Sequence, residues 1–450
     1  MPASYIVVQL EETPRYENAQ TTTPYQVGAS KLYLPVEQAN LTRGPQYMSR
    51  KDENRGVLSE PPRLIDGYQP AGSLTELLYA NNMATLLTMA GMTGTVQAGA
   101  GVNAQHTLAT TGTVTGGTFT LALGSVVSAP IPWNVTGAGI IPYLESLYGK
   151  GNVVLVSGGP LPATPIIVKY IGDYGAQVVA VETVSNTGLT GTTPAVTDTS
   201  STAGSAGAVL DPDGKGVPTG ANLWSFLKRT GSTPRTAQIG MYYSPQTVFR
   251  LGQGYVIKDF SLTAGGAFQG NMMGLVLLEA TEPGNTPAYD TLGIKPLRKG
   301  DFTLTWGPTG TANTDDFSLN VTNGFDSSGF FDGNRTYFPK LMEYNDISLM
   351  SGTVHKRTVD VDDLGADLSA ATFAASARWR GESMVSTSGA RYAAFVNAPS
   401  CQFVGGDPDD LKNQTRFANT LQWFAAYDET AGYDFKISLI NGVAGPLDFT

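Results

Sequence analysis

The residues able to do chemistry are few and far apart. Cys401 is the single cysteine, so no disulfide closes within the chain, and two histidines, His106 and His355, leave little material for a histidine-based metal site. Nucleophilic catalysis needs a serine or cysteine with a base in reach. No G-x-S-x-G is present, and Cys401 in "NAPSCQFVGG" has the setting of a buried structural thiol. His355 lies in a strand-like polar stretch, "SGTVHKRTVD", and reads as a surface or interface residue. "DPDGKG", Asp211 to Gly216, imitates the start of a calcium loop, but Lys215 takes its fifth position and Asn222 its twelfth. A Pro-Asp-Gly turn explains it more simply. "VDVDDLGAD" and "GDPDDLK" concentrate carboxylates whose default reading is solvated turns or helix caps. Nothing pairs two carboxylates as a glycosidase requires, and "GQGYVIKDF" lacks the helix that should follow a phosphate-cradling loop. With no catalytic constellation, metal set or cofactor motif to point to, the expectation is a building block and not an enzyme.

The elements around these residues are predicted to be mainly β. A chain of 450 residues exceeds one ordinary core, and a hydrophobic content of 41% suffices for two or three domains. Glycine is abundant at 53 residues, threonine is frequent and lysine is scarce, which favours short strands and many turns. A net charge of −10 argues against a sequence-independent grip on nucleic acid, which needs clustered lysine and arginine. The opening "MPASYIVVQLEETPRYE" does not read as a secretory signal, and no run approaches the ~18 apolar residues of a spanning helix. Synthesis in the cytosol is the expectation, with no membrane insertion.

Composition divides the chain. Residues 1–96 hold a strand-like "ASKLYLPVEQANLT", a charged loop, a "GSLTELL" strand and a helix with Met83, Leu86, Leu87 and Ala90 at helical spacing. Asn81 is the expected cap of that helix and Gly91 its stop. Between Arg43 and Asp66 the loop packs five basic and four acidic residues into two dozen positions of a chain that is only 15% charged. Residues 97–204 carry six Asp, Glu, Lys or Arg in total. Low-complexity borders, "GTVQAGAGVNAQ" and "TTPAVTDTSSTAGSAGA", frame four or five strand candidates, among them "GGTFTLAL", "NVVLVSGG", "PIIVKYIG" and "QVVAVETV", and a helix near Ile140 to Tyr148. Flexible borders around a foldable core predict an inserted α+β domain about the size of an immunoglobulin-like unit. Strand patterns such as "AQIGMYY", "FTLTW" and "DFKISLING", where Phe435, Ile437 and Leu439 share one face, resume over 205–286 and 287–450, separated by "EPGNTP" at Glu282 to Pro287, and a duplicated unit is one way to build them.

The first region resembles the major tail tube proteins of long-tailed, siphovirus-like bacteriophages, particularly those of actinobacterial hosts. "YLPVEQANLT", the loop "YMSRKDENRG", the strand "GYQPAGSLTELL" and the helix "YANNMATLLTMAG" carry the likeness by their order. The segment 97–204 is similar to a small domain of such virions, through "GGTFTLAL", "APIPWN", "GNVVLVSGGPLPATPIIVKYIG" and "GLTG". The closing "DETAGYDFKISLING" resembles the last strands of a tube protein, while about 290–400 matches nothing specific.

The resemblance implies a β-sandwich or barrel body with one short helix on its outer face. Subunits would join sheet to sheet into rings of six copies, or three if the body is duplicated, and the rings would stack into a tube in the virion tail. Its implied partners are copies of the same chain, a tape-measure protein, tail terminator and tip proteins, and viral DNA sliding past an acidic wall without specific binding. The charged arm would reach the next ring through Arg50, Lys51, Asp52, Glu53, Arg55 and Arg63, with Pro61 and Pro62 stiffening its return. Alternatives are a capsid decoration or minor tail protein, and a polysaccharide-binding adhesin that would stack sugars on Trp133, Trp224, Trp306, Trp379 or Trp423.

Overall fold

The computed structural model describes residues 4–11, 31–48, 64–228, 234–244, 247–280, 294–306, 314–326, 343–344, 349–356, 372–385, 388–405 and 419–443, with Pro287 and Tyr289. The fold is mainly β, its strands pair antiparallel, and two α-helices occur among the described residues. Seventeen strands form one hydrogen-bonded network, the body, and seven strands form a second sheet.

The body can be followed as one path. Val36–Thr42 pairs with Ala71–Leu77, which pairs with Ala267–Met273 and then with the second half of Val248–Thr263. Thr314–Thr322, Leu349–Lys356 and Asn419–Ala425 continue it to the strand Arg391–Gly405. That long strand hands over from one neighbour to another: Cys401–Gly405 pairs with Asn419–Ala425, and Ala393–Asn397 pairs with Lys436–Asn441. Asn222–Lys228 and finally Met92–Ala98 complete the path. Tyr5–Leu10, Leu32–Leu34 and Ala237–Tyr243 extend from the first half of Val248–Thr263. Strands from both sides of Glu282–Pro287 belong to this network, and one core cluster joins Leu262 and Phe268 to Trp379 and Leu439. The alternation read in "DFKISLI" holds, since Phe435, Ile437 and Leu439 are all buried in that cluster.

Helix α1, Ala80–Met89, is cut differently from expectation. Its N-cap is Tyr79, whose carbonyl accepts from the N–H groups of Asn82 and Met83, so Asn81 lies inside the first turn. Gly91 does follow the end, at φ 74°, a conformation that a side chain would strain. The helix does not lie on an outer sheet face: all ten residues are buried, against Met92–Ala98, Val248–Thr263, Arg391–Gly405 and Lys436–Asn441. Only one face is apolar, so the buried polar face needs partners. Asn82 donates to Glu76 Oε1, Asn441 Nδ2 donates to the Ala80 carbonyl at 3.1 Å, and Asn323 Nδ2 donates to the Ala90 carbonyl at 2.9 Å.

The second sheet is centred on Gln105–Leu123, a 19-residue strand flanked by Ile166–Tyr170 and Leu189–Thr202. Helix α2, Gly137–Tyr148, covers it through Ile140, Leu144 and Tyr148, and Thr136 Oγ1 caps it by accepting from the Gly139 N–H. This unit has its own core, running from Ala104 to Val196. Two sequence expectations fail here. The low-complexity border that starts at Thr192 is an ordered strand as far as Thr202, because its residues pair along Gln105–Leu123. "QVVAVETV" contributes only Thr183–Ser185 as strand. Residues 97 and 98 belong to the body strand Met92–Ala98, and the incoming and outgoing chains meet at the Val102–Ser205 bridge.

Burial pushes the Glu76 carboxyl up to about 8, against the opposing pull of the Asn82 hydrogen bond. The folded state therefore holds a proton that the unfolded chain releases near pH 4.5. The associated stability is complete below pH 4.5 and is lost as pH rises toward 8, at up to about 1.4 kcal/mol per pH unit. Glu76→Gln keeps an acceptor for Asn82 and removes the titration. Thermal melts should show the variant gaining on the wild type between pH 5 and pH 8; parallel melting curves would contradict this reading.

Candidate functional site

The charged arm singled out in the sequence, Arg50, Lys51, Asp52, Glu53, Arg55, Pro61, Pro62 and Arg63, lies outside the described residues, as do "VDVDDLGAD" and the Asp residues of "GDPDDLK". What is described at the arm's base is a two-stranded ribbon, Pro45–Met48 with Leu64–Tyr68. The arm therefore leaves and rejoins the body through paired strands.

Three features define surfaces or sites elsewhere. The first is the pair of strands ending the body path. Val36–Thr42 and Met92–Ala98 each have one paired edge among the described residues. Six consecutive residues, Thr93 to Ala98, are exposed, so both faces of that strand look outward. An open strand edge presents a row of backbone donors and acceptors to any partner strand.

The second feature is the seam between the two sheets. Arg391, on a body strand, grips Asp173 with Nε to Oδ1 at 3.1 Å and Nη2 to Oδ2 at 2.8 Å, and donates to Asn152 Oδ1 at 2.9 Å. Its remaining Nη1 donates to the Gly381 carbonyl. The Gly172 N–H donates to the Gly389 carbonyl at 2.7 Å, and Asn103 Nδ2 to the Ser388 carbonyl at 2.7 Å. Burial opposes ionisation of Asp173, yet the Arg391 guanidinium holds its carboxyl below the usual range. "DPDGKG" lies beside this seam, past the Val102–Ser205 bridge, and is tied to the body strand Phe373–Ser383. Asp211 Oδ1 accepts from the N–H groups of Asp213 and Lys215, closing a turn, while Arg380 Nη2 reaches Asp211 and Asp213 at 2.7 Å each. Arg378 adds a contact to Asp213 at 2.9 Å. Arginines occupy the place that a cation would take in a calcium loop.

The third feature was missed by sequence reasoning. His106, Tyr170 and Asp198 lie on three adjacent strands, and period-two alternation turns each inward with Leu108, Val168 and Val196. Glu182, just before Thr183–Ser185, joins them. His106 Nδ1 is 3.1 Å from Glu182 Oε2, 3.2 Å from Asp198 Oδ2 and 3.1 Å from the Tyr170 hydroxyl. Tyr170 donates to Glu182 Oε1, and the Glu182 N–H donates to Asp198 Oδ2 at 2.9 Å. The His106, Glu182 and Asp198 side chains are at most 1% exposed, and Asp198 Oδ1 and His106 Nε2 have no hydrogen-bond partner. Burial alone would lower the imidazole; its hydrogen bonds to Asp198 and Glu182 outweigh this and bring it up to about 9. Burial raises the Asp198 carboxyl, whereas hydrogen bonds from His106 and Tyr170 help pull Glu182 below its ordinary value despite burial. The signal available in sequence was scarcity: two of only six charged residues between 97 and 204 sit in this cluster.

Other expected residues fall into the core. Cys401 is buried and its thiol is pushed by burial up to about 12, which disables it as a nucleophile. Trp224, Trp379 and Trp423 are buried and so cannot stack a sugar. The backbone of His355 lies in Leu349–Lys356, between Asp316 and Thr420. In comparisons with known proteins, no family matches the chain and no curated protein is significantly similar to it.

Arg391→Ala should loosen the seam while leaving both sheets folded, at a cost of about 1–2 kcal/mol. Hydrogen exchange at the Gly172 and Asp173 amides should accelerate severalfold in the variant. Unchanged exchange there would show that the backbone contacts alone hold the seam.

Proposed function

We propose that the chain is a self-assembling structural protein of a phage virion, a tail tube subunit that closes into rings and stacks into the conduit for DNA. The observation that supports this most directly is the pair of open end strands. Pairing Met92–Ala98 of one copy with Val36–Thr42 of the next would continue the body network around a ring and close the edges that each copy leaves open among its described residues. The tube wall would then be one sheet shared by all copies, as the likeness in the first region implies.

In this reading the mixed-charge arm, Arg50 to Arg55 with Arg63, contacts the adjacent ring, and Pro61 and Pro62 limit its swing. Mixed charge sets register more than it adds affinity. The excess of carboxylates suits a bore that phosphate must pass without adhering. The unit containing residues 104–202 would ride outside. A tape-measure protein within and terminator and tip proteins at the ends complete the partners. The adhesin alternative is weakened by the burial of three of its five tryptophans. A capsid decoration or minor tail protein remains the second reading, since the likeness of residues 97–204 is to a domain of several virion proteins.

Negative-stain electron microscopy of the purified chain over a concentration series, with light scattering, tests the proposal. Stacked rings of even bore are the expected result, and their rotational symmetry decides three copies against six. Joint Gln38→Lys and Val96→Lys substitutions place like charges on the two exposed end strands and should leave folded monomers. Arg50→Ser, Lys51→Ser and Arg55→Ser together should leave single rings that do not stack. Wild-type protein that stays monomeric but binds preformed capsid lattice would move the decoration reading ahead.

A further inference from the structure

We propose that His106, Glu182 and Asp198 form a binding site for one divalent transition-metal ion, of the Zn2+ or Mn2+ class, locked inside the second sheet. The inference does not depend on the assembly role. Three observations carry it. First, the donor set is mixed: one imidazole nitrogen and two carboxylates, the N/O ligand types that first-row divalent ions select. Second, the spacing fits. Bonds of about 2.0–2.1 Å in a tetrahedral set separate neighbouring ligand atoms by about 3.3 Å. His106 Nδ1 lies 3.1 Å and 3.2 Å from the two carboxylate oxygens, and all three groups can present atoms within 4.8 Å of one another. Third, hydrogen bonding alone leaves the cluster incomplete. One imidazole N–H faces two carboxylate oxygens and a hydroxyl, and can serve them only by sharing, while Asp198 Oδ1 is fully buried with no partner.

Charge points the same way. Two carboxylates and a neutral imidazole sum to −2, which a dication cancels in a site that excludes water. Nδ1 must be unprotonated to ligate, so a ring that starts as imidazolium gives that proton to solvent on binding, whereas a neutral ring carries its proton on Nε2 and releases none. The outer contacts suit ligands that must be held still: Tyr170 donates to the Glu182 oxygen that His106 does not face, and the Glu182 N–H fixes Asp198 Oδ2. His106 Nδ1 and one oxygen from each of Glu182 and Asp198 supply three donor atoms. The side chains are sealed from solvent, so the ion would meet no substrate and its role is structural, and it must enter as the unit folds.

The test uses the full chain, produced in medium supplemented with zinc and, separately, manganese, then dialysed and analysed for metal. About one equivalent per chain is expected. Unfolding in chelator and refolding without metal should lower the melting transition by about 5 °C or more, and refolding with Zn2+ or Mn2+ should restore it. Asp198→Asn keeps the side-chain shape and should retain less than a tenth of the metal; His106→Gln is the second variant should the first fail to fold. Metal-free wild-type protein whose transition ignores both ions would overturn the site. So would full metal content in a folded Asp198→Asn or His106→Gln variant.

Discussion

The body depends on how a helix with a polar face is buried among strands. Helix α1 exposes none of its ten residues, so Asn82 and the backbone carbonyls at its ends must find partners inside the protein. They find them on the strand just before the helix, at Glu76, and far along the chain, at Asn323 and Asn441. Asn441 also accepts from the Trp224 indole, which ties another strand to the same point. A buried donor or acceptor left unpaired costs about 1–3 kcal/mol, so these few bonds select one arrangement of the strands over many that would cover the same apolar area. The helix thereby acts as a gauge, and strands far apart in sequence are registered against it.

The second unit is fixed to the body by a similar device at its surface. Its seam is polar, built from Arg391 against Asp173 and Asn152 and from Asn103 against the Ser388 carbonyl, with a backbone hydrogen bond from Gly172 to Gly389. An apolar seam would tolerate sliding, whereas a guanidinium matched to a carboxylate by two bonds fixes distance and angle together. The unit is held at a defined attitude while keeping a separate core.

Sequence was informative where periodicity was simple. The strands "DFKISLING", "AQIGMYY" and "FTLTW" were visible because apolar residues recur at spacings that only a strand satisfies. The turn nature of "DPDGKG" was legible because Pro-Asp-Gly closes locally. Helix α1 was placed but its environment was misjudged: Asn81, Asn82, Thr85 and Thr88 look like a solvent face, and only strands from the far end of the chain reveal that they are covered. The border after residue 192 was misread because threonine- and glycine-rich composition marks linkers and exposed strands alike. His106, Glu182 and Asp198 are separated by up to 92 positions, and no local pattern joins them; strand register does.

The neighbouring chains at Val102 and Ser205 have one more implication. Because the body delivers its chain to this point and receives it back one bridge away, the span between costs the host little entropy of closure, whether it is a short turn or a hundred residues. The host's own pairing resumes at Asn222–Lys228, opposite the strand that ended at Ala98. Such a doorway permits exchange: over evolutionary time, or by design, a different module with adjacent termini can be set there without redrawing a single strand of the body.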